Sequence, residues 1–149
     1  VENLEIRLEK QNECTVSTIP YPDGDASIAV LFHHMMNAFG AQQLRDLNMG
    51  CFLSLDKVQN RNLDSYDGLF TTAILPDTDT MVIPEGAYLC GYAKGDWQQI
   101  PQLYEAMCTY AEQHEIMLSG PAWEIGLNEF AISSMDAYVT KIMMKADNA

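Results

Sequence analysis

The sequence predicts an α+β domain built from two β-α-β-β units, with a mostly antiparallel sheet, helices on one face and a groove at the centre. Three observations carry this reading. The chain has 149 residues, 48% of them hydrophobic, which suits a single domain with a real core over 1–149. Segments of period-two alternation are interleaved with segments of apolar residues at steps of three and four. The order strand, helix, strand, strand also runs through the chain twice, the copies beginning at Cys14 and Ala87, about 73 residues apart. Two helices covering one face of the sheet is the simplest packing for this order, and two such units side by side leave a groove lined by both.

The elements follow in order. Glu2 to Glu13 is dense in charge, with Leu4, Ile6 and Leu8 alternating; it reads either as a strand or as the tail of a helix from an upstream domain, a linker tail over 1–12. The first unit, 13–75, opens with a strand over Cys14–Ile19, where Thr15, Val16, Thr18 and Ile19 supply β-branched residues. Pro20, Pro22 and Asp23-Gly24 end it. Asp25 can cap a helix whose apolar face carries Ile28, Leu31, Phe32, Met35 and Phe39, with Gly40 as its stop. Gly50 opens the strand CFLSLD, QNRNLDS is a loop, and Tyr66 to Leu75 is a further strand, followed by a brief extended segment from Thr80 to Ile83.

The second unit, 86–145, begins after the Pro84-Glu85-Gly86 turn with a strand over Ala87–Ala93. A helix then carries Trp97, Ile100, Leu103, Tyr104, Met107, Tyr110 and Ala111, with Pro101 in its first turn, where a missing N–H costs little. Ser119-Gly120-Pro121 leads into a strand from Ala122 to Ile132, Ser133-Ser134-Met135 forms a hairpin, and Asp136 to Met144 is the last strand.

Composition narrows the function. Eight Lys and Arg stand against 21 Asp and Glu, a net charge of −13, and the eight are scattered. That disfavours direct contact with a phosphate backbone, which needs clustered cations. The negative field either attracts cationic ligands or serves solubility alone. Cys14, Cys51, Cys90 and Cys108 are far apart, with no C-x-x-C, so they read as buried, reduced cysteines of a cytoplasmic protein. His33 and His34 are adjacent and would point about 100° apart on a helix, so they do not suit one metal. His114 stands alone, and no metal or cofactor is expected. No apolar run approaches the length of a membrane span.

Glu124 is the leading candidate site residue. It lies within AWEIGL, a strand expected to be at least half buried, where carboxylates are depleted. Gly126, on the same face, leaves open space beside it. A desolvated acid has a raised pKa unless a cation arrives, and a bound ligand cation would satisfy it. The alternatives are an exposed edge position or a pairing with Lys141. Tyrosines and tryptophans offer faces that attract cations by about 0.5–2 kcal/mol. Tyr88 and Tyr138 are favoured as lying mid-strand in segments expected to neighbour Glu124, with Tyr104 on the apolar face of the helix above; Tyr66 and Trp123 complete the aromatic candidates. The nine methionines supply either a pliable pocket wall or ordinary core.

The stretch from Gly86 to Met144 resembles the GyrI-like effector-binding family, found in MerR-class and AraC-class multidrug-responsive regulators and also alone. The matching segments are GAYLCGYAKG, IPQLYEAMCTYAEQHEI, SGPAWEIGL and DAYVTKIMM. The resemblance covers about 60 residues; the first half agrees in element order alone. It implies a two-fold repeat around a ligand groove, with Glu124 as the main ligand-contacting acid and with Tyr138 and Asp136 contributing from the last strand. Trp123 stands where many members have tyrosine. Lys141 stands where an acid is common, which argues against a purely cationic ligand. The function implied is an effector-sensing domain that binds lipophilic, aromatic or cationic molecules and reaches DNA only through a separate N-terminal domain, with a homodimer formed through the linker. The alternatives are a stand-alone hydrolase of strained electrophiles with Glu124 as general base, and a protein-inhibiting module that no residue selects.

Overall fold

A computed structural model describes residues 4–21, 49–72, 74, 76–95, 97–126 and 139–149. Their strands are β1 (Leu4–Gln11), β2 (Cys14–Ile19), β3 (Met49–Leu53), β4 (Gly68–Thr71), β5 (Asp79–Ile83), β6 (Gly86–Lys94), β7 (Leu118–Gly126) and β8 (Val139–Ala146). The helices among these residues are α1 (Leu55–Gln59) and α2 (Ile100–Gln113), the latter entered through a 3₁₀ turn at Trp97–Gln99. The α+β class is as the sequence predicts. The helix expected between Asp25 and Gly40 and the hairpin at Ser133-Ser134-Met135 lie outside the described residues.

The strands form one eight-stranded sheet in the order β1-β6-β8-β7-β3-β4-β2-β5, and every pair is antiparallel. The order is symmetric about the β7–β3 junction: β6, β8 and β7 of the second unit mirror β2, β4 and β3 of the first. The outer strands are exchanged, since β1 precedes the first unit yet pairs with β6, and β5 precedes the second yet pairs with β2. Of the two readings left open for the chain's start, the strand is therefore the one found.

The two exchanged ladders share one register. It runs from Leu4↔Ala93 to Gln11↔Gly86, then on from Cys14↔Ile83 to Thr18↔Asp79. Residues 4–18 and 79–93 thus form a single two-stranded ribbon interrupted only at Asn12-Glu13 and Pro84-Glu85. Strands β5 and β6 stand six positions apart in the sheet, about 29 Å if it were flat. Two linking residues reach no more than about 10 Å. The sheet must therefore curl until its two sides meet. One face closes on itself around Val16, Phe52, Phe70, Ile83, Tyr88, Cys90, Trp123, Ile125 and Met143, with no described helix in that cluster.

The other face carries the helices. Leu103, Tyr104, Met107 and Ala111 of α2 and Val58 of α1 pack with Leu53, Leu89, Ala93, Ala122, Ile142 and Met144. Burying Leu103 and Met107 contributes about 1.5–3 kcal/mol each. Gly91 on β6 lets α2 sit close, since a Cβ there would lie 2.5 Å from Met107 Sδ. Pro101 falls in the first turn of α2, as expected.

Three boundaries differ from the sequence reading. The segment CFLSLD ends as a strand at Leu53; the Ser54 hydroxyl accepts from the Lys57 N–H and starts α1, a five-residue helix too short to leave a periodic signal. Tyr66 precedes β4 rather than lying within it. Ser119-Gly120-Pro121 belongs to β7, where the β7–β8 register shifts between Ser119 and Trp123.

Candidate functional site

Strand β7 sits at the centre of the sheet between β8 and β3, so Glu124 is placed opposite Ile142 on one side and Cys51 on the other. Alternation along the strand points Glu124 to the helix-bearing face and its neighbours Trp123 and Ile125 into the curled face. The Glu124 side chain is 6% exposed. It is flanked along its own strand by Ala122 and Gly126, both small.

Two hydroxyls hold the carboxylate. Tyr104, brought over from α2, donates to Oε2 at 2.5 Å, and Tyr66 donates to Oε1 at 2.8 Å. The Cys51 thiol donates to the same Oε1 at 3.9 Å. Each donor is positioned by a separate device. Tyr104 lies on the buried stripe of α2 between Leu103 and Met107. Cys51 is fixed by the β3–β7 register. Tyr66 is held by the next residue, because Asp67 accepts from the Ser54 N–H at 2.7 Å and from Lys57 Nζ at 2.5 Å while its own N–H donates to Phe52 O at 2.9 Å. Tyr21, just beyond β2, stacks on Tyr66 with ring centroids 5.1 Å apart.

Burial pushes the Glu124 pKa up to about 7, the Tyr104, Tyr66 and Cys51 hydrogen bonds pulling the other way. Burial and the nearby acid raise the Tyr66 and Tyr104 phenols well above their ordinary range, so both remain donors. Tyr21 is pushed up to about 12, chiefly by burial. Among the described residues, no Lys or Arg forms an ion pair with Glu124. Lys141 pairs instead with Glu9 at 3.5 Å, on the face opposite to Glu124. Glu124 is thus neither exposed nor lysine-paired, and the hydroxyl donors partly compensate it.

Of the residues singled out from sequence, the structure brings Glu124, Tyr104 and Tyr66 together. It separates two others. Trp123 packs against Phe52 and Phe70, at 5.3 and 5.1 Å between centroids, in the curled face. Tyr88 is in the same cluster and donates to Pro84 O at 2.5 Å; its strand β6 is flanked by β1 and β8 and does not neighbour β7. Tyr138 and Asp136 lie outside the described residues. Tyr21 and Cys51 were missed as site residues: Tyr21 sits between two prolines, where no pattern assigns a face, and Cys51 reads as a buried thiol until the strand register is known.

An open apolar groove of about 620 Å³ runs between β1 and the outer side of α2, lined by Leu4, Ile6, Pro101, Ala106 and Tyr110 among others. None of the Glu124 cluster lines it. Among the described residues, no group of three or more His, Cys, Asp or Glu is placed to hold a metal ion, and no helix is long and apolar enough to cross a membrane.

No family model matches the sequence, and no curated protein matches it. Solved structures do. The chain aligns over 97% of its length with EcmrR in a complex with DNA, at a TM-score of 0.68 and 17% identity, and spans 57% of that longer chain. It aligns over 95% with the EcmrR C-terminal domain at 0.67 and 16% identity, covering 96% of that chain. A Staphylococcus aureus MU50 transcription regulation protein gives 0.60 at 18% identity, with 94% and 96% of the two chains covered. SAV2435 bound to tetraphenylphosphonium gives 0.57 at 17%, with 94% and 92% covered. At these identities the likeness is one of fold.

Proposed function

We propose that this chain, whose fold is that of the GyrI-like effector-binding domains, binds a lipophilic or aromatic cation at Glu124 and acts as the effector-sensing part of a cytoplasmic transcriptional regulator. The observation that carries the reading is a buried carboxylate at the two-fold junction of the sheet, held by tyrosine hydroxyls and without a basic partner among the described residues. A charge in that position is costly to desolvate, and an incoming cation recovers part of the cost. The Tyr21–Tyr66 stack offers the flat faces that such a guest needs.

The neighbouring structures support the same reading. SAV2435 holds tetraphenylphosphonium, and EcmrR, of which this chain spans 57%, is found in complex with DNA. Binding at Glu124 would shift an attached DNA-binding domain only through a difference in affinity between two of its arrangements. Calorimetric titration with tetraphenylphosphonium tests the site. Micromolar affinity that weakens roughly tenfold or more in Glu124→Gln, a loss of at least about 1.4 kcal/mol, is expected. Unchanged affinity in the variant contradicts it.

A second reading, hydrolysis of strained electrophiles with Glu124 as general base, is favoured by one observation. A carboxylate pushed up to about 7 has the proton affinity that base catalysis at neutral pH requires. Turnover of such a compound, followed by mass spectrometry, separates it from stoichiometric binding.

A further inference from the structure

Cys51 is more than a strand neighbour of Glu124. Its thiol lies 3.9 Å from Glu124 Oε1, directly across the β3–β7 ladder. It is half-buried and in no disulfide. The carboxylate is in turn oriented by Tyr104 and Tyr66, which bond its two oxygens. A nucleophile within reach of a base that is itself fixed by further groups is the arrangement that activated nucleophiles share. Contacts at such sites run longer in the empty protein than in a complex.

Resting on the reading of this site as a small-molecule pocket, we infer that Cys51 and Glu124 form a nucleophile–base pair that captures lipophilic Michael acceptors as covalent thioether adducts. The step balances without any further reagent. The Cys51 S–H proton passes to Glu124 Oε1 as the sulfur electron pair forms the S–C bond to the β-carbon of an α,β-unsaturated carbonyl. The π electrons move onto the carbonyl as an enolate, and Glu124 returns the proton to the α-carbon. Nothing leaves, nothing is oxidised, and the carboxylate is regenerated. The raised proton affinity of Glu124 suits both halves of the transfer. Cys14 and Cys108 are half-buried too, but Glu124 reaches neither.

Benzylideneacetone, a weak lipophilic acceptor, is the probe. Wild-type protein is incubated with it, and the adduct is located by intact-mass and peptide mass spectrometry. Cys51 is expected to be modified roughly tenfold or more faster than Cys14 and Cys108 of the same molecule, a comparison that needs no variant. In folded Glu124→Gln the Cys51 rate falls by about a hundredfold while the other two rates stay level. Modification of Cys51 no faster than of Cys14 and Cys108, or a Cys51 rate unmoved in Glu124→Gln, overturns the pair, as does release of the β-hydroxyketone formed by water addition without any adduct. Tetraphenylphosphonium binding, measured alongside, separates the two readings. Cation binding without a Cys51 adduct sinks this inference alone; an adduct without cation binding sustains it and sinks the cation reading; absence of both sinks both.

Discussion

The hydroxyl of Tyr104, carried on α2, donates to Oε2 of Glu124, carried on β7, at 2.5 Å. This bond ties the helix layer to the centre of the sheet at the residue on which the functional reading turns. In Tyr104→Phe, Oε2 loses that donor while the carboxylate stays buried. The expected cost is about 1–3 kcal/mol at pH 8, where the acid is ionised, and less at pH 5, where it is neutral. Thermal melts should show a drop of roughly 2–12 °C at pH 8 and a smaller one at pH 5. Equal drops at both values would mean that the hydroxyl does not act through the charge.

Glu124 should also leave a signature in stability against pH. Its folded-state pKa is raised from the ordinary 4.5 to about 7, so the native state binds more protons than the unfolded chain between those values. Stability attributable to this group is full below about 4.5, falls as pH rises, and is level again above about 7; the span is about 3 kcal/mol. Glu124→Gln lacks this component. Denaturant unfolding of both proteins at pH 4 and pH 8 should therefore show the variant gaining on the wild type by up to about 3 kcal/mol at the higher pH. A constant difference would contradict the raised pKa.

Gly50 fixes the β3–β7 junction from the backbone. A Cβ at this position would lie 1.7 Å from the Glu124 carbonyl oxygen, and backbone cannot swing aside as a side-chain end can. Gly50→Ala should cost roughly 3 kcal/mol or more by forcing the central strands apart. Gly91→Ala, which meets side-chain atoms of Met107 and Leu103 rather than backbone, should cost less. Chemical denaturation of the two variants gives the comparison, and a Gly91→Ala loss as large as that of Gly50→Ala would count against it.

Much of this was legible in the sequence, and the misses have physical reasons. Strand β2 falls on the stretch its β-branched residues mark, and Glu124 stands out because an acid inside an apolar strand has few cheap explanations. The period of α2 aims Tyr104 at the sheet. The same logic places Trp123 opposite Glu124, since strand neighbours face opposite sides; the aromatic character of the position hid that. The pairing of β1 with β6 and of β5 with β2 joins segments some 60 residues or more apart in the chain, and no local pattern encodes it. Cys51 meets Glu124 only through register, which is set when the central strands dock.

The most direct test of the central claim is the pH dependence of tetraphenylphosphonium affinity. If the ionised Glu124 carboxylate recognises the cation, the dissociation constant should fall about tenfold between pH 6 and pH 8, as the group with a pKa near 7 ionises. The Tyr66 and Tyr104 phenols stay protonated throughout that range. In Glu124→Gln the dissociation constant should be weaker and flat with pH. A wild-type affinity that does not change across this range, or a slope that survives in the variant, would contradict it.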